Sequence, residues 1–327
     1  MNTFVSMSLA ILIWSLYPLG VTTGLKSMGS IEMILIVYII AGFGATGLAL
    51  LYLAQRKLLT KALDIQRTLN RRAYATILAS GVVGVLCHAF FIIALTLANK
   101  GGVALLYESW PILAVIATPF LMKKTWKEVS FIEFLVGIIA LIGVAIIIFS
   151  DSNIGFPTKE TEMLSETMDF TTIGGYILAF AGAYMLALVV ITKGMYAEYF
   201  KDLNDTFGAT IYTEMLSRII CVFVVLGIFL FMDIKIDESS IHWNSVLFVG
   251  FVVFVLGGAL YTHALLSSQS PTIHIMNYFV PVLAVIWLWL AGEAEVNSGL
   301  FIGGTIVTLS NIYLVYAGRK AKLSKEL

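Results

Sequence analysis

Hydrophobic residues along the chain fall into ten runs separated by short polar connections. Each run is close to the ~20 residues that an α-helix needs to cross about 30 Å of hydrocarbon. The ~10-residue segments of alternating hydrophobicity that are typical of a membrane β-barrel are absent from the sequence. The pattern therefore predicts an all-α membrane protein with ten transmembrane helices. The runs are approximately Thr3–Leu25, Met33–Ala54, Tyr74–Ala98, Gly102–Met122, Phe131–Phe149, Thr172–Ile191, Thr206–Phe231, Trp243–Leu266, Thr272–Ala291 and Gly299–Ala317.

The composition indicates a membrane protein and limits the classes of partner that we expect. Hydrophobic residues make up 59% of the 327 residues and charged residues only 12%, whereas soluble domains carry about 25% charged residues. We expect the lipid bilayer and a small molecule as partners, and the zero net charge gives no reason to expect nucleic acid. Cys87 and Cys221 both lie in apolar runs and look like buried core residues. We expect no metal and no cofactor.

Basic residues predict the orientation of the helices. Fifteen of the 20 Lys and Arg residues lie in the second, fourth and sixth connections and the C-terminal tail, and four lie in connections on the opposite side. The positive-inside rule places the first set, and both termini, in the cytoplasm. An even number of helices satisfies this arrangement. We expect a multi-pass protein of the plasma (inner) membrane.

The ten runs divide into two groups of five. Residues 1–150 form the first group, residues 151–171 an acidic extracytoplasmic linker, and residues 172–327 the second group with a short basic cytoplasmic tail. An odd number of helices inverts the second group relative to the first, which predicts an inverted repeat with a binding site at the repeat interface. Internal similarity supports the repeat, because the segment around Pro111 returns 170 residues later around Pro281.

Several short motifs lie along the chain. They are Trp14 in the first helix, the aromatic-x3-Leu segments that begin at Phe91 and Tyr261, the mid-helix prolines Pro111 and Pro281, the Gly292-Glu293 pair, and the glycines of the fifth and tenth helices. Together they resemble the EamA family of the drug/metabolite transporter superfamily, and the resemblance covers nearly the whole chain. It implies a ten-helix exporter of small metabolites, often amino acids, with a central cavity lined by helices 1, 3, 4, 6, 8 and 9.

Glu108 is the strongest candidate for chemistry. It lies inside the fourth apolar run, beside Tyr107 and Trp110, and Pro111 removes a helical hydrogen bond one turn away. A carboxylate at this depth costs about 2.5–3.5 kcal/mol on insertion scales, so it usually faces a cavity or a partner. Glu108 either binds a substrate amine or a proton, or is a structural carboxylate bonded to another helix. At 1.5 Å per residue, His88 lies roughly 15 Å and Glu108 roughly 9 Å from the same end of their helices, which allows the two side chains to approach. His88 either forms a proton relay with Glu108 or is a structural histidine.

Two further polar groups lie within apolar runs. His263, Asn277 and Tyr278 either line the inner part of the pathway or hold the helices together by hydrogen bonds. Glu214 and Arg218 are four residues apart, so they share a helix face and can neutralise each other. We favour a structural ion pair over a gating element.

Aromatic residues offer a lining for an apolar or cationic substrate. Packing within the core is the alternative. Pro18 is expected to break the first helix near the middle of the membrane. The aromatic candidates are Trp14, Tyr17, Trp110 and Tyr184.

A secondary transporter with alternating access is the function that the sequence favours. No Gly-rich Lys-Ser/Thr phosphate loop is present, which argues against ATP drive. A membrane-embedded enzyme needs clustered metal ligands or a nucleophile with its base, and neither is apparent in the sequence. A non-transporting membrane interaction protein is the remaining alternative. Proton coupling through Glu108 is compatible with the transporter.

Overall fold

The computed structural model describes residues 3–56, 71–110, 112–114, 117, 131–150, 170–199, 206–232, 236–267, 276 and 279–326. Within these ranges the regular structure is helical and no strand occurs. The all-α prediction is therefore confirmed for the described part of the chain. The helices are α1 (Thr3–Ser15), α2 (Tyr17–Gly24), α3 (Ser30–Arg56), α4 (Arg71–Leu97), α5 (Lys100–Tyr107), α6 (Phe131–Phe149), α7 (Phe170–Tyr199), α8 (Thr206–Met232), a 3-10 turn (Glu238–Ser240), α9 (Trp243–Leu247), a π-helical segment (Phe248–Gly257), α10 (Gly258–Ser267), α11 (Phe279–Leu290) and α12 (Ser298–Glu326).

Six spans in the described ranges are long and apolar enough to cross a membrane. They coincide with predicted runs 1, 2, 3, 6, 7 and 8, and shorter apolar helices occupy parts of runs 5, 9 and 10. Helices satisfy their own backbone hydrogen bonds, which is the requirement for a segment surrounded by lipid. The chain is an integral, multi-pass membrane protein. The spans are Thr3–Gly24, Ser30–Tyr52, Arg71–Leu97, Phe170–Thr192, Thr210–Phe231 and Trp243–Ala264.

The first span is interrupted at Leu16. Helix α1 ends at Ser15 and α2 begins at Tyr17, with Pro18 in its first turn. Proline is tolerated there because the first-turn N–H groups have no intrahelical acceptor. The backbone N–H of Leu16 donates to the carbonyl of Ile13, a three-residue spacing that tightens the turn. The interruption places Tyr17 at the start of a new helix inside the span.

A π-helical segment, Phe248–Gly257, forms the middle of the span Trp243–Ala264. The Trp14 indole N–H donates to the carbonyl of Val253 at 3.3 Å. Gly257 makes room for that indole, because a Cβ at this position would lie 2.8 Å from Trp14 Nε1. π-Helical turns inside α-helices are often found at functional sites. The hydrogen bond between Trp14 and Val253 therefore fixes α1 against the π segment.

Helices α6 and α12 cross at two glycines. A Cβ on Gly303 would lie 2.5 Å from the carbonyl oxygen of Gly143, and a Cβ on Gly143 would lie 2.9 Å from the carbonyl oxygen of Gly303. The two backbones therefore approach each other more closely than any larger residue permits. These helices are the fifth and tenth predicted runs, so the contact joins the last helix of each predicted half.

Candidate functional site

A cavity of about 90 Å³ lies inside the bundle. This is well above the ~10–15 Å³ that a cavity needs to admit one water, so the cavity has room for a small molecule. Residues of α1, α2, α4, α7, α8, the π segment and α10 line the cavity, together with the end of α5. They are Trp14, Tyr17, Ser80, Gly84, Cys87, His88, Tyr107, Glu108, Leu186, Val189, Val190, Ser217, Arg218, Cys221, Val253, Phe254, Gly258 and Tyr261.

His88 lies between two tyrosine hydroxyls in this cavity. Its Nδ1 is 3.4 Å from the Tyr17 hydroxyl and 3.1 Å from the Tyr107 hydroxyl. The Tyr107 hydroxyl is also 2.8 Å from Cys87 Sγ. Imidazole and phenol both donate and accept hydrogen bonds, so this group forms a continuous polar chain across α2, α4 and α5.

Aromatic rings surround that polar chain. The His88 ring stacks on Phe254 with centroids 4.3 Å apart, and Tyr17 stacks on Phe91 at 5.0 Å. Trp14 contacts Tyr261 at a centroid distance of 4.4 Å. Such ring pairs contribute about 0.5–1.5 kcal/mol beyond their burial. The first helix, its break and the π segment are thereby fixed against each other around the cavity.

Glu108 lies where α5 ends. Its backbone N–H still donates to the carbonyl of Ala104, while its own φ and ψ of −78° and 3° leave the helical region. Glu108 is half-buried, and Trp110 donates its indole N–H to Glu108 Oε2 at 3.3 Å. Glu108 and His88 thus line one cavity, and a direct hydrogen bond between them stays a prediction.

Arg218 and Glu214 form a pair at the cavity wall. Arg218 Nη2 is 3.5 Å from Glu214 Oε2 and donates to the carbonyl of Phe254 at 3.2 Å. Glu214 Oε1 accepts a hydrogen bond from the Thr262 hydroxyl at 3.1 Å. The guanidinium carbon also lies 5.2 Å from the centre of the Phe254 ring, a cation–π distance. The pair holds α8 against the π segment and α10, and Arg218 also faces the cavity.

Several residues predicted for the site lie elsewhere. Tyr184 is 43% exposed. The buried His263 has Nδ1 3.3 Å from the Ser6 hydroxyl, at the contact of α10 with α1. Pro281 is buried in α11 and does not line the cavity wall described above. Pro111, Asn277 and Tyr278 lie outside the described residues.

The comparison with protein families gives a match in the second half of the chain. The profile of the EamA-like transporter family matches residues 184–316. This segment is therefore similar to the EamA-like transporter family. The resemblance noted in the sequence is confirmed over this segment.

The fold also has a counterpart among solved structures. One, titled "Crystal structure of protein", has a TM-score of 0.56 and 16% identity, with 97% of this chain and 98% of that chain covered. This likeness concerns the fold alone, and it extends over both halves of the chain. No curated protein matches.

The structure adds cavity residues that the sequence analysis did not select for the site. Phe254 and Tyr261, inside the matched segment, are ring partners of His88 and Trp14, and Ser80 of α4, outside that segment, lines the same cavity. Tyr261 begins an aromatic-x3-Leu motif, which was a usable signal. Phe254 and Ser80 carry none, because a phenylalanine or a serine in an apolar run is ordinary in a membrane helix.

At one end of the bundle three connections converge on Glu293. Lys26 contacts Glu293 Oε1 and Lys100 contacts Glu293 Oε2. Hydrogen bonds from Lys100 and then Lys26 hold the pKa of the Glu293 carboxyl below its ordinary value. The side chain of Asn297 donates to the carbonyl of Ser150 at 2.8 Å at the same end. We name Glu293, Lys26 and Lys100 the ionic clasp.

The turn that ends α11 places Glu293 in this ionic clasp. Gly292 has φ of +70°, a conformation that favours glycine. The N–H of Gly292 donates to the carbonyl of Trp289 and the N–H of Glu293 to that of Leu288, which is the Schellman pattern at a helix end. The turn directs the Glu293 carboxylate toward the first half of the chain.

Proposed function

We propose that the protein is a secondary transporter that exports a small metabolite, such as an amino acid, by alternating access through the central cavity. The observation that carries the proposal is the cavity itself. It brings ionisable and aromatic side chains from both halves of the chain together inside an apolar bundle, at residues such as His88, Glu108 and Arg218. Charged groups at such depth are costly and usually belong to a transport pathway.

The two halves are proposed to form an inverted repeat of five plus five transmembrane helices. The 170-residue offset between Pro111 and Pro281 supports it, as does the mutual approach of Gly143 and Gly303 in the last helix of each half. Both halves contribute to the cavity, as expected of a site at a repeat interface. Both termini are proposed to lie in the cytoplasm, on the basis of the distribution of basic residues.

Glu108 is proposed to couple transport to protonation. It is the carboxylate nearest the polar chain of His88, Tyr17 and Tyr107 in sequence and shares their cavity. Its indole partner Trp110 donates one hydrogen bond, which leaves acceptor positions on the carboxylate for a substrate amine or a proton. In either role, Glu108 is the residue that binds the substrate amine or the proton.

The test is counterflow with purified protein in liposomes. Liposomes loaded with a panel of unlabelled amino acids and other small metabolites are diluted into labelled compounds one at a time. We expect transient, saturable accumulation of at least one compound, and none with empty liposomes. Repeating the assay with and without an imposed proton gradient tests the coupling. Product formation without flux would favour a membrane-embedded enzyme, and absence of both would favour an interaction protein.

A further inference from the structure

Arg218 has one buried donor without an acceptor among the described residues. The residue is 9% exposed, and the contacts to Glu214 and to the carbonyl of Phe254 both use Nη2. Among the described residues no acceptor meets the buried Nε–H. A guanidinium presents five N–H donors in one plane. A donor left unpaired in the interior costs free energy, so an acceptor from outside the protein is favoured here.

Ser80 provides a second unpaired group in the same cavity. It is 2% exposed, and its hydroxyl has no hydrogen-bond partner among the described residues. Serine hydroxyls in helices commonly donate to a carbonyl one turn back, as Ser109 does to Leu106 at 2.6 Å and Ser15 does to Leu12 at 2.9 Å. The Ser80 hydroxyl makes no such bond to a described carbonyl, and Ser80 lines the cavity.

Small residues leave space beside these donors. A Cβ on Gly258 would be in ordinary contact, at 3.5 Å, with both Arg218 Nη2 and Glu214 Oε2, and a Cβ on Gly84 would meet nothing within 4 Å. Both glycines line the cavity. The cavity wall therefore has room for a methyl-sized group against the ion pair and open space at Gly84.

We propose that Arg218 and Ser80 form the anion subsite of this cavity and bind the carboxylate of a small organic acid. The inference rests on the proposed transport function and specifies its substrate class. Two donors on different helices, α8 and α4, suit a group with two acceptor oxygens. The cavity of about 90 Å³ suits a small ligand. Glu214 already offsets part of the Arg218 charge, which favours a carboxylate with one negative charge over a phosphate with two.

The experiment compares acids with their amides, which have nearly the same shape but lack the negative charge of the carboxylate. Full-length protein in detergent micelles is heated with propionate or propionamide, alanine or alaninamide, and inorganic phosphate. We expect each acid to raise the unfolding temperature of the wild type more than its amide. Equal effects of acids and amides, or stabilisation by phosphate alone, would overturn the carboxylate subsite.

Ser80→Ala separates recognition from folding. The hydroxyl makes no hydrogen bond among the described residues, so its removal should leave the stability of the free protein intact. It should weaken acid binding about tenfold, the loss expected for one hydrogen bond to a charged group. Ser310→Ala, in buried surroundings on α12, is the matched control and should leave acid binding unchanged. Unchanged acid binding in Ser80→Ala contradicts the proposal.

Variants of Arg218 provide an independent test of the anion subsite. Arg218→Lys keeps the charge but lacks the planar set of donors, and should lose most of the preference for acids over amides. The double variant Glu214→Gln with Arg218→Gln keeps the pair neutral and protects folding from an unpaired buried charge. It should fold and bind acid and amide alike. A folded double variant that still prefers acids refutes the role of Arg218.

Failure of the subsite and failure of transport are distinguishable. If liposomes show counterflow of a compound with which propionate and propionamide compete equally, the protein is a transporter and the subsite is wrong. If acids bind in a manner that depends on Ser80 and Arg218 but no panel compound is moved, the subsite stands and the transport function is wrong.

Discussion

Replacing Glu293 by glutamine removes the negative charge of the ionic clasp while it keeps the size of the side chain. The Glu293 side chain is 9% exposed, whereas those of Lys26 and Lys100 are 64% and 32% exposed. The pair with Lys26 is therefore strongly screened by solvent, and the pair with Lys100 is screened less. We expect the larger part of the effect to come from Lys100.

The magnitude follows from these exposures. Exposed ion pairs contribute about 0.2–1 kcal/mol, and Lys26 belongs at the low end of that range. A hydrogen bond to a charged group that is mostly buried contributes about 1.5–3 kcal/mol, reduced here because Lys100 is a third exposed. Together we expect Glu293→Gln to lower the free energy of unfolding by about 1–2 kcal/mol at neutral pH.

The dependence on pH has a defined sign. The pKa of Glu293 in the folded protein lies below its ordinary value of 4.5. Its stabilisation is therefore fully present above pH 4.5 and is lost as the pH falls through the lowered pKa. Glutamine does not titrate, so the difference between wild type and variant should close at acidic pH. It should also shrink at 1 M salt, where the screening length is about 3 Å.

Equilibrium unfolding in mixed detergent micelles measures these differences. A double-mutant cycle of Glu293→Gln with Lys100→Met isolates the coupling of that pair. Glu295→Gln on the same exposed connection is the matched control and should change stability little. Equal stability of wild type and Glu293→Gln at every pH would refute the clasp, and so would a coupling energy of zero with Lys100.

Three further predictions test the packing, the coupling and the topology. Gly303→Ala should lower the free energy of unfolding by about 1–3 kcal/mol, because its Cβ would overlap the opposing backbone. The control Gly227→Ala, whose Cβ meets nothing within 4 Å, should be neutral or stabilising. Equal effects of the two substitutions would contradict the close crossing of α6 and α12. Glu108→Gln should abolish proton-driven net flux in liposomes while exchange continues; wild-type net flux and pH dependence would defeat coupling, and loss of both activities would indicate direct substrate binding. Cysteines introduced at Lys57 and Lys159 should react with an impermeant reagent from outside the cell only at position 159, and the reverse pattern would overturn the orientation.

The sequence by itself determined the class of the protein. Ten apolar runs of about 20 residues with few charges are typical of membrane spans, and such spans form helices because lipid offers no hydrogen-bond partner to the backbone. The same runs located the described helices, and short motifs around Trp14 and Tyr261 indicated the EamA family. Glu108, His88 and Tyr107 were identifiable as candidates because polar residues within apolar runs are rare. Six described spans agree with the predicted runs, and the ten-helix inverted repeat stays a proposal.

The tertiary structure alone decided which of these residues share a cavity. Periodicity gives the face of a helix but not the neighbour that the face meets, so Tyr184 was selected and Phe254 was overlooked. The contact between the rings of Phe254 and His88 depends on how the π segment and α4 are placed in the bundle. The ion pair of Glu214 and Arg218 was readable from a spacing of four residues. That Arg218 also borders the cavity depends on Gly258 and Ser80, which belong to other helices and reach the site through packing.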